Sequence, residues 1–192
     1  MKFRWGGVDM ENVTVLVHKW QAGDSESREV VFGMLHQHLV QSARGQLRKY
    51  GCITLQPSDV ANEAIVRMLG SDASYSDRTH LLAVAALRMR GVLVDHLRSK
   101  FAGKRGANPL RVTLSLPELK SDTSGEPFEV LALNQTLDQL SEFDERAAQV
   151  IEMTYFGGMS RKEIATALDV SIPTVDRDLL FGRTWLSREL AS

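Results

Sequence analysis

Two helix starts stand eleven residues apart in the segment SRKEIATALDVSIPTV, at Ser160 and Ser171. In the first, Glu163 follows Ser160 at the capping-box interval, where each residue's side chain satisfies a free backbone N–H of the other. In the second, Ser171 precedes Pro173, whose missing N–H costs little in a first helical turn. One helix must therefore end near Leu168, leaving Asp169-Val170 for the turn. Ile164, Ala165 and Leu168 give the first helix a buried face, and Val175, Leu179, Leu186 and Leu190 continue an apolar stripe along the second. Two short helices joined in this way make a helix-turn-helix.

Helical spacing also governs the chain upstream. Val13, Leu16, Val17 and Trp20 predict a helix over 12–22 that stops at Gly23, with Asp24 and Ser25 placed to cap the next. That next helix spans 26–49, with Val30, Val31, Met34, Leu35, His38, Leu39 and Leu47 on its pattern and Gly51 as its stop. After Gln56-Pro57-Ser58, the residues Val60, Ala64, Ile65, Met68 and Leu69 predict a third, ending at Gly70, with Asp59 and Glu63 on one face. The fourth runs from about 77 to 101 without a proline. From Ala102 to Pro127 the period vanishes into glycine- and proline-containing chain, which reads as a linker. Leu131, Leu133, Leu137 and Leu140 resume the pattern, and Asp144 opens a helix through Ala148, Val150, Ile151 and Tyr155 that ends at Gly157-Gly158. No strand-like alternation exceeds VTLSL, so the fold class is all-α, in two modules.

A length of 192 residues suits one ordinary domain or two small helical ones. No apolar run approaches the roughly 20 residues of a membrane helix, and MKFRWGGVDMEN has no export signal, so no membrane association is expected and the location is cytoplasmic. The single cysteine, Cys52, rules out an internal disulfide and a zinc finger. Histidines 18, 36, 38, 80 and 96 lack ligand spacing, and GxxxxGK[ST], GxGxxG and GxSxG are all missing, so no metal, no cofactor and no enzymatic activity are expected. The net charge of -1 hides an asymmetry. From Asp77 to Arg111 eight basic residues face two acidic ones, whereas Glu129 to Ser192 holds six basic and eleven acidic residues. A basic stretch beside an acidic module implies more than one kind of partner.

On the second helix of the helix-turn-helix, the apolar stripe leaves Thr174, Arg177 and Thr184 outward, with Arg161 and Lys162 opening the helix before it. Side chains at the start of such a helix reach base edges in the major groove, and Arg, Lys and Ser satisfy phosphate oxygens. Asp176 and Asp178 oppose this by repelling phosphates, so the module alone should bind weakly. The basic helix, with Arg88, Arg90, His96, Arg98 and Lys100 and then Lys104 and Arg105, suits a phosphate backbone or else forms a solvated charged face. Asp59 and Glu63 alone fit a solvated face better than a catalytic pair.

Three strings in order resemble the extracytoplasmic-function group of sigma-70-type bacterial RNA polymerase sigma factors: LQPSDVANEAIVRML, MRGVLVDHLRSKFAGKRG and GGMSRKEIATALDVSIPTVDRDLLFGRTWL. The first is similar to sigma region 2.2, the second to regions 2.3 and 2.4, and the third to region 4.2. The resemblance implies an N-terminal extension at 1–11, a region 2-like helical bundle at 12–103, a long linker at 104–128 and a region 4-like helix-turn-helix domain at 129–192. It implies a transcription initiation factor with core RNA polymerase and promoter DNA as partners and leaves its regulator, an anti-sigma factor or a kinase, open; phosphorylation of Ser58, beside the acidic row, would add negative charge toward a basic partner.

By the same resemblance, Asp59, Asn62, Glu63 and Arg67 dock on polymerase. Arg88, Arg90, His96, Arg98, Lys100, Lys104 and Arg105 meet the -10 element, and Arg161, Lys162, Ser171, Thr174, Asp176 and Arg177 the -35 element. Leu81, Leu82 and Gly91 stand where many members carry aromatic or polar residues, and leucine offers no π-face to a base. The linker implies halves that move independently. The competing readings are a stand-alone helix-turn-helix regulator and an interaction protein that sequesters a polymerase subunit.

Overall fold

The computed structural model describes residues 4–5, 8–49, 55–70, 73–102 and 127–191. A short antiparallel pair, β1 (Arg4–Trp5) and β2 (Val8–Asp9), precedes eight helices among these residues. The helices are α1 (Met10–Gln21), α2 (Ser25–Lys49), α3 (Pro57–Leu69), α4 (Arg78–Ala102), α5 (Pro127–Phe143), α6 (Glu145–Tyr155), α7 (Arg161–Ala167) and α8 (Ile172–Ala191). The fold is all-α, and the helix bounds follow the apolar periods closely. Of the region expected as linker, residues 104–126 fall outside the described residues, as does the Gly51 stop, while 127 and 128 already belong to α5.

Local chemistry fixes the helix ends. Gly23, at φ +101°, makes the turn after α1, and Asp24 then accepts hydrogen bonds from Ser27 Oγ at 2.5 Å and from the Glu26 N–H at 3.3 Å. These bonds, the Ser27 hydroxyl foremost, lower the pKa of Asp24. Pro57 opens α3 without a side-chain cap from Gln56. Asp144 accepts from the Ala147 N–H at 3.0 Å and starts α6. Asp169, at φ 51°, takes the left-handed conformation in the turn between α7 and α8, which aspartate tolerates better than most residues.

In the first module, α1 to α4 enclose Val17, Leu35, Leu39, Val60, Ala64 and Met89, all buried. Leu81 and Leu82, flagged in the sequence as missing aromatics, are both 0% exposed. They are core residues of the first module. Leu69, which the apolar period assigns to the buried stripe, instead lies exposed at the end of α3, and Ala61 takes a buried position. Trp20 stacks on Tyr75 at 5.4 Å, while the Gln21 amide bonds both backbone groups of Tyr75, fastening α1 to the approach to α4.

In the second module, Leu137, Leu140, Ile151, Ile164, Val175 and Leu186 form the core. Gly182 lets α8 close on α6, since a Cβ there would lie 2.9 Å from Ile151 Cγ1. The expectation of independent halves is corrected. Helix α4 packs against α5, α6 and α7, and one continuous apolar core runs through both modules. The physical reason is chemical matching across the contact, where arginines of α4 meet carboxylates of α5, α6 and α7.

Candidate nucleic-acid interface

The α7–α8 pair carries both caps that its sequence requires. The Ser160 N–H donates to Glu163 Oε2 at 2.8 Å and the Glu163 N–H returns a bond to Ser160 Oγ. Ser171 Oγ accepts from the Thr174 N–H at 3.3 Å and also bonds the Thr174 hydroxyl at 2.8 Å. Lys162, Ser171, Asp176 and Arg177 are exposed, and Thr174 is half-buried. Arg161 and Asp176 pair with each other at 2.5 Å, each with 52% of its side chain exposed. Arg177, 70% exposed, projects from the first turns of α8, its Nε 3.8 Å from Asp178 Oδ1. Asp178 does not face outward as the sequence reading expected. It is buried and held by Arg146 Nε at 2.6 Å, so of the two aspartates Asp176 alone is exposed.

Along α3, Asp59, Asn62 and Glu63 form an exposed row, with Ser58 half-buried in the first turn. Arg67 closes the row by bonding Asp95 of α4 at 2.8 Å and Glu63 at 3.1 Å, and the Asp95 bond in particular raises its pKa. Arg67 passes Gly91 of α4 on this crossing: a Cβ there would stand 3.4 Å from Arg67 Nη1, an ordinary contact with the end of a flexible side chain. Exposed Val66 and Leu69 give the acidic row an apolar border that the helical period did not signal.

The basic residues of α4 do not act as one face. Two residues apart on a helix means roughly 200° around its axis, and accordingly Arg88 is exposed while Arg90 keeps only 12% of its side chain in solvent. Its guanidinium donates to Asn134 Oδ1 and the Asn134 carbonyl at 3.0 Å each, to Asp138 at 2.5 Å, and to Glu152. His96 is half-buried, and the side chains of Arg98, Lys100, Lys104 and Arg105 lie outside the described residues.

A second group of residues was not singled out by the sequence. Arg78 reaches Glu163 at 2.6 Å, with side chains 5% and 13% exposed. From α2, His38 Nε2 donates to the Gly157 carbonyl at 2.6 Å and Ser42 Oγ to the Phe156 carbonyl at 2.7 Å. Burial lowers the pKa of His38 and raises that of Glu152, the latter opposed by Arg90. Burial would also raise Glu163, but hydrogen bonds from Ser160 and Arg78 outweigh it and the pKa falls. An open cleft of about 270 Å³ remains between the modules, bordered by Asp77, His80, Leu87, Glu152, Met153 and Thr166. Only long-range packing brings these groups together, and no local pattern announces it.

Among the described residues no cluster of three His, Cys, Asp or Glu side chains could hold a metal ion. None of the described helices is long and apolar enough to cross a membrane. A family model described as ECF sigma factor matches residues 10–192. No curated protein and no solved structure matches the chain.

Proposed function

The chain belongs to the ECF sigma factor family, which acts in transcription initiation with core RNA polymerase and promoter DNA, and from that premise we propose how its surfaces divide the work. The α3 row of Asp59, Asn62 and Glu63, set by Arg67, docks on a basic surface of polymerase, where paired carboxylates favour rapid and oriented association. Helix α4 meets the -10 element through Arg88 and His96, continued by Arg98, Lys100, Lys104 and Arg105, and through Arg90 once its guanidinium leaves Asn134, Asp138 and Glu152. The start of α8 meets the -35 element through Thr174 and Arg177, with Arg161, Lys162 and Ser171 at phosphates.

The observation that carries this reading is the doubly capped α7–α8 pair with Arg177 70% exposed at its reading end. Asp176 offsets part of the charge of Arg161 while both stay half-exposed, which supports weak DNA binding by the module alone. Specific promoter binding then depends on polymerase holding both modules at the promoter spacing.

The test is binding to core RNA polymerase with Asp59→Lys/Glu63→Lys as control, followed by run-off transcription on a promoter library. Polymerase binding lost in the double variant, with a discrete promoter set transcribed, is the expected result. Operator selection by the free chain without polymerase would favour a stand-alone regulator. Polymerase binding that survives Arg177→Ala with no promoter ever transcribed would favour a sequestering protein.

A further inference from the structure

A carboxylate stands where the second module is read as meeting DNA, and its surroundings specify what it can bind. Asp176 follows Ser171, the cap of α8, by five residues and adjoins Arg177. Each residue of a helix turns by about 100°, so Asp176 leaves the buried stripe of Val175, Leu179 and Leu186 on the side that faces Arg161 at the start of α7. Arg161 Nε donates to Asp176 Oδ1 at 2.5 Å, and both side chains stay 52% exposed. Among the described residues Asp176 Oδ2 meets no donor, and the two terminal amino groups of Arg161 meet no acceptor.

An exposed ion pair contributes little to stability, and an unpaired carboxylate at a DNA surface repels phosphates. Pairing with Arg161 offsets that repulsion. It also leaves the terminal amino groups of Arg161 for a phosphate oxygen and Oδ2 of Asp176 for a base. An ionised aspartate only accepts hydrogen bonds. In the major groove guanine and thymine show acceptors, and only cytosine N4 and adenine N6 donate. Adenine sets its N7 acceptor beside N6, against a carboxylate, whereas cytosine presents its amino group without an acceptor of its own.

We propose that Asp176, held by Arg161, reads a cytosine of the -35 element through Oδ2, so that this carboxylate selects a base. The base contact rests on the sigma-factor reading above and adds to it the identity of one position in the element.

Run-off transcription by the full chain with core polymerase, on a promoter library randomised across the -35 element and read by sequencing, tests this. Wild type should favour cytosine at one position by roughly ten-fold, toward the lower end of what a good base contact supplies. Asp176→Asn presents a carbonyl and an amide together, the arrangement that pairs with adenine N6 and N7, and should move the preference at that position from cytosine toward adenine. Asp176→Ala should flatten it to within roughly two-fold among the four bases, with the other positions unchanged. Arg161→Ala should weaken transcription across the library, through the lost phosphate contact, and blunt the preference at that same position. Since Asp176 and Arg161 are half-exposed, all three variants should melt as wild type does.

A wild-type preference there for any base but cytosine, or a cytosine preference left undiminished in any of the three variants, overturns the base contact while a discrete promoter set keeps the sigma-factor reading standing. Preferences that relax equally at every position in Asp176→Ala, as a loosened α8 would produce, overturn it as well. A wild type that transcribes no promoter in the library overturns the sigma-factor reading, and the base contact falls with it.

Discussion

Glu163 holds two structures together, and substitution can separate its roles. Its carboxylate completes the capping box of α7 and also pairs with Arg78 of the other module at 2.6 Å, with side-chain exposures of 13% and 5%. Glu163→Gln keeps a group able to cap, because glutamine serves in the box as glutamate does, but removes the charge. A hydrogen bond to a charged partner contributes about 1.5–3 kcal/mol, and that is the expected loss in urea unfolding. Glu163→Ala also removes the cap, adding about 1 kcal/mol. The pH dependence has a definite sign. The folded-state pKa of Glu163 lies below its ordinary value of 4.5, so its contribution is present above 4.5 and disappears as pH falls through the folded value. The gap between wild type and Glu163→Gln should therefore narrow below pH 4.5. Equal losses for Gln and Ala would refute the capping role, and an unaffected Gln variant would refute the stabilising ion pair.

Gly182→Ala should lower the melting temperature: the usual gain of about 0.5–1 kcal/mol for alanine in a helix is outweighed by about 1–3 kcal/mol of overpacking against Ile151, 2.9 Å from the new Cβ. Arg177→Ala should leave stability within about 0.5 kcal/mol, its side chain being 70% exposed, yet lose about 1–3 kcal/mol of promoter discrimination in run-off competition. His38 titrates with the opposite charge logic to Glu152. Closing favours neutral His38, which faces Arg78 and Glu163, so scattering should register expansion as pH falls below 6.5, and His38→Gln should abolish that trend. Glu152, whose pKa burial raises against the pull of Arg90, should contribute a slope of the opposite sign, visible in the His38→Gln variant.

Helix positions were legible because apolar residues at three- and four-residue intervals and short-range caps are local properties. Ser160 with Glu163, Asp144 before Ala147 and Gly23 after α1 each act within a turn of where the sequence places them. Orientation was less legible. The sequence pools Arg88 and Arg90 into one basic stretch, but helical rotation sends one to solvent and the other into the second module. Asp176 and Asp178 were likewise pooled as repellent carboxylates, although two positions along α8 put Asp178 inside against Arg146. Gly91 reads as a lost polar group until Arg67 is seen crossing it toward Asp95. In every case the missing information is which neighbour packs on which side, and that is set by contacts distant in sequence.

The opposed charges of the two modules admit two accounts of their association, and salt distinguishes them. A general attraction between a basic stretch and an acidic module would act across solvent and weaken as the Debye length shrinks from about 10 Å at 0.1 M to about 3 Å at 1 M. The observed pairs are of another kind. Arg78–Glu163 and Arg90–Glu152 leave 5%, 13%, 12% and 7% of their side chains exposed, where mobile ions have little access. The close approach of Gly157 to Ala86 between them is a matter of packing, which salt does not alter. The scattering profile of the free chain should therefore hold steady as salt is raised through this range, while binding to DNA, which releases counterions from phosphates, falls steeply. Expansion of the free chain in parallel with the loss of DNA binding would mean that exposed charges drive the closure, and the buried arginines would then be its consequence.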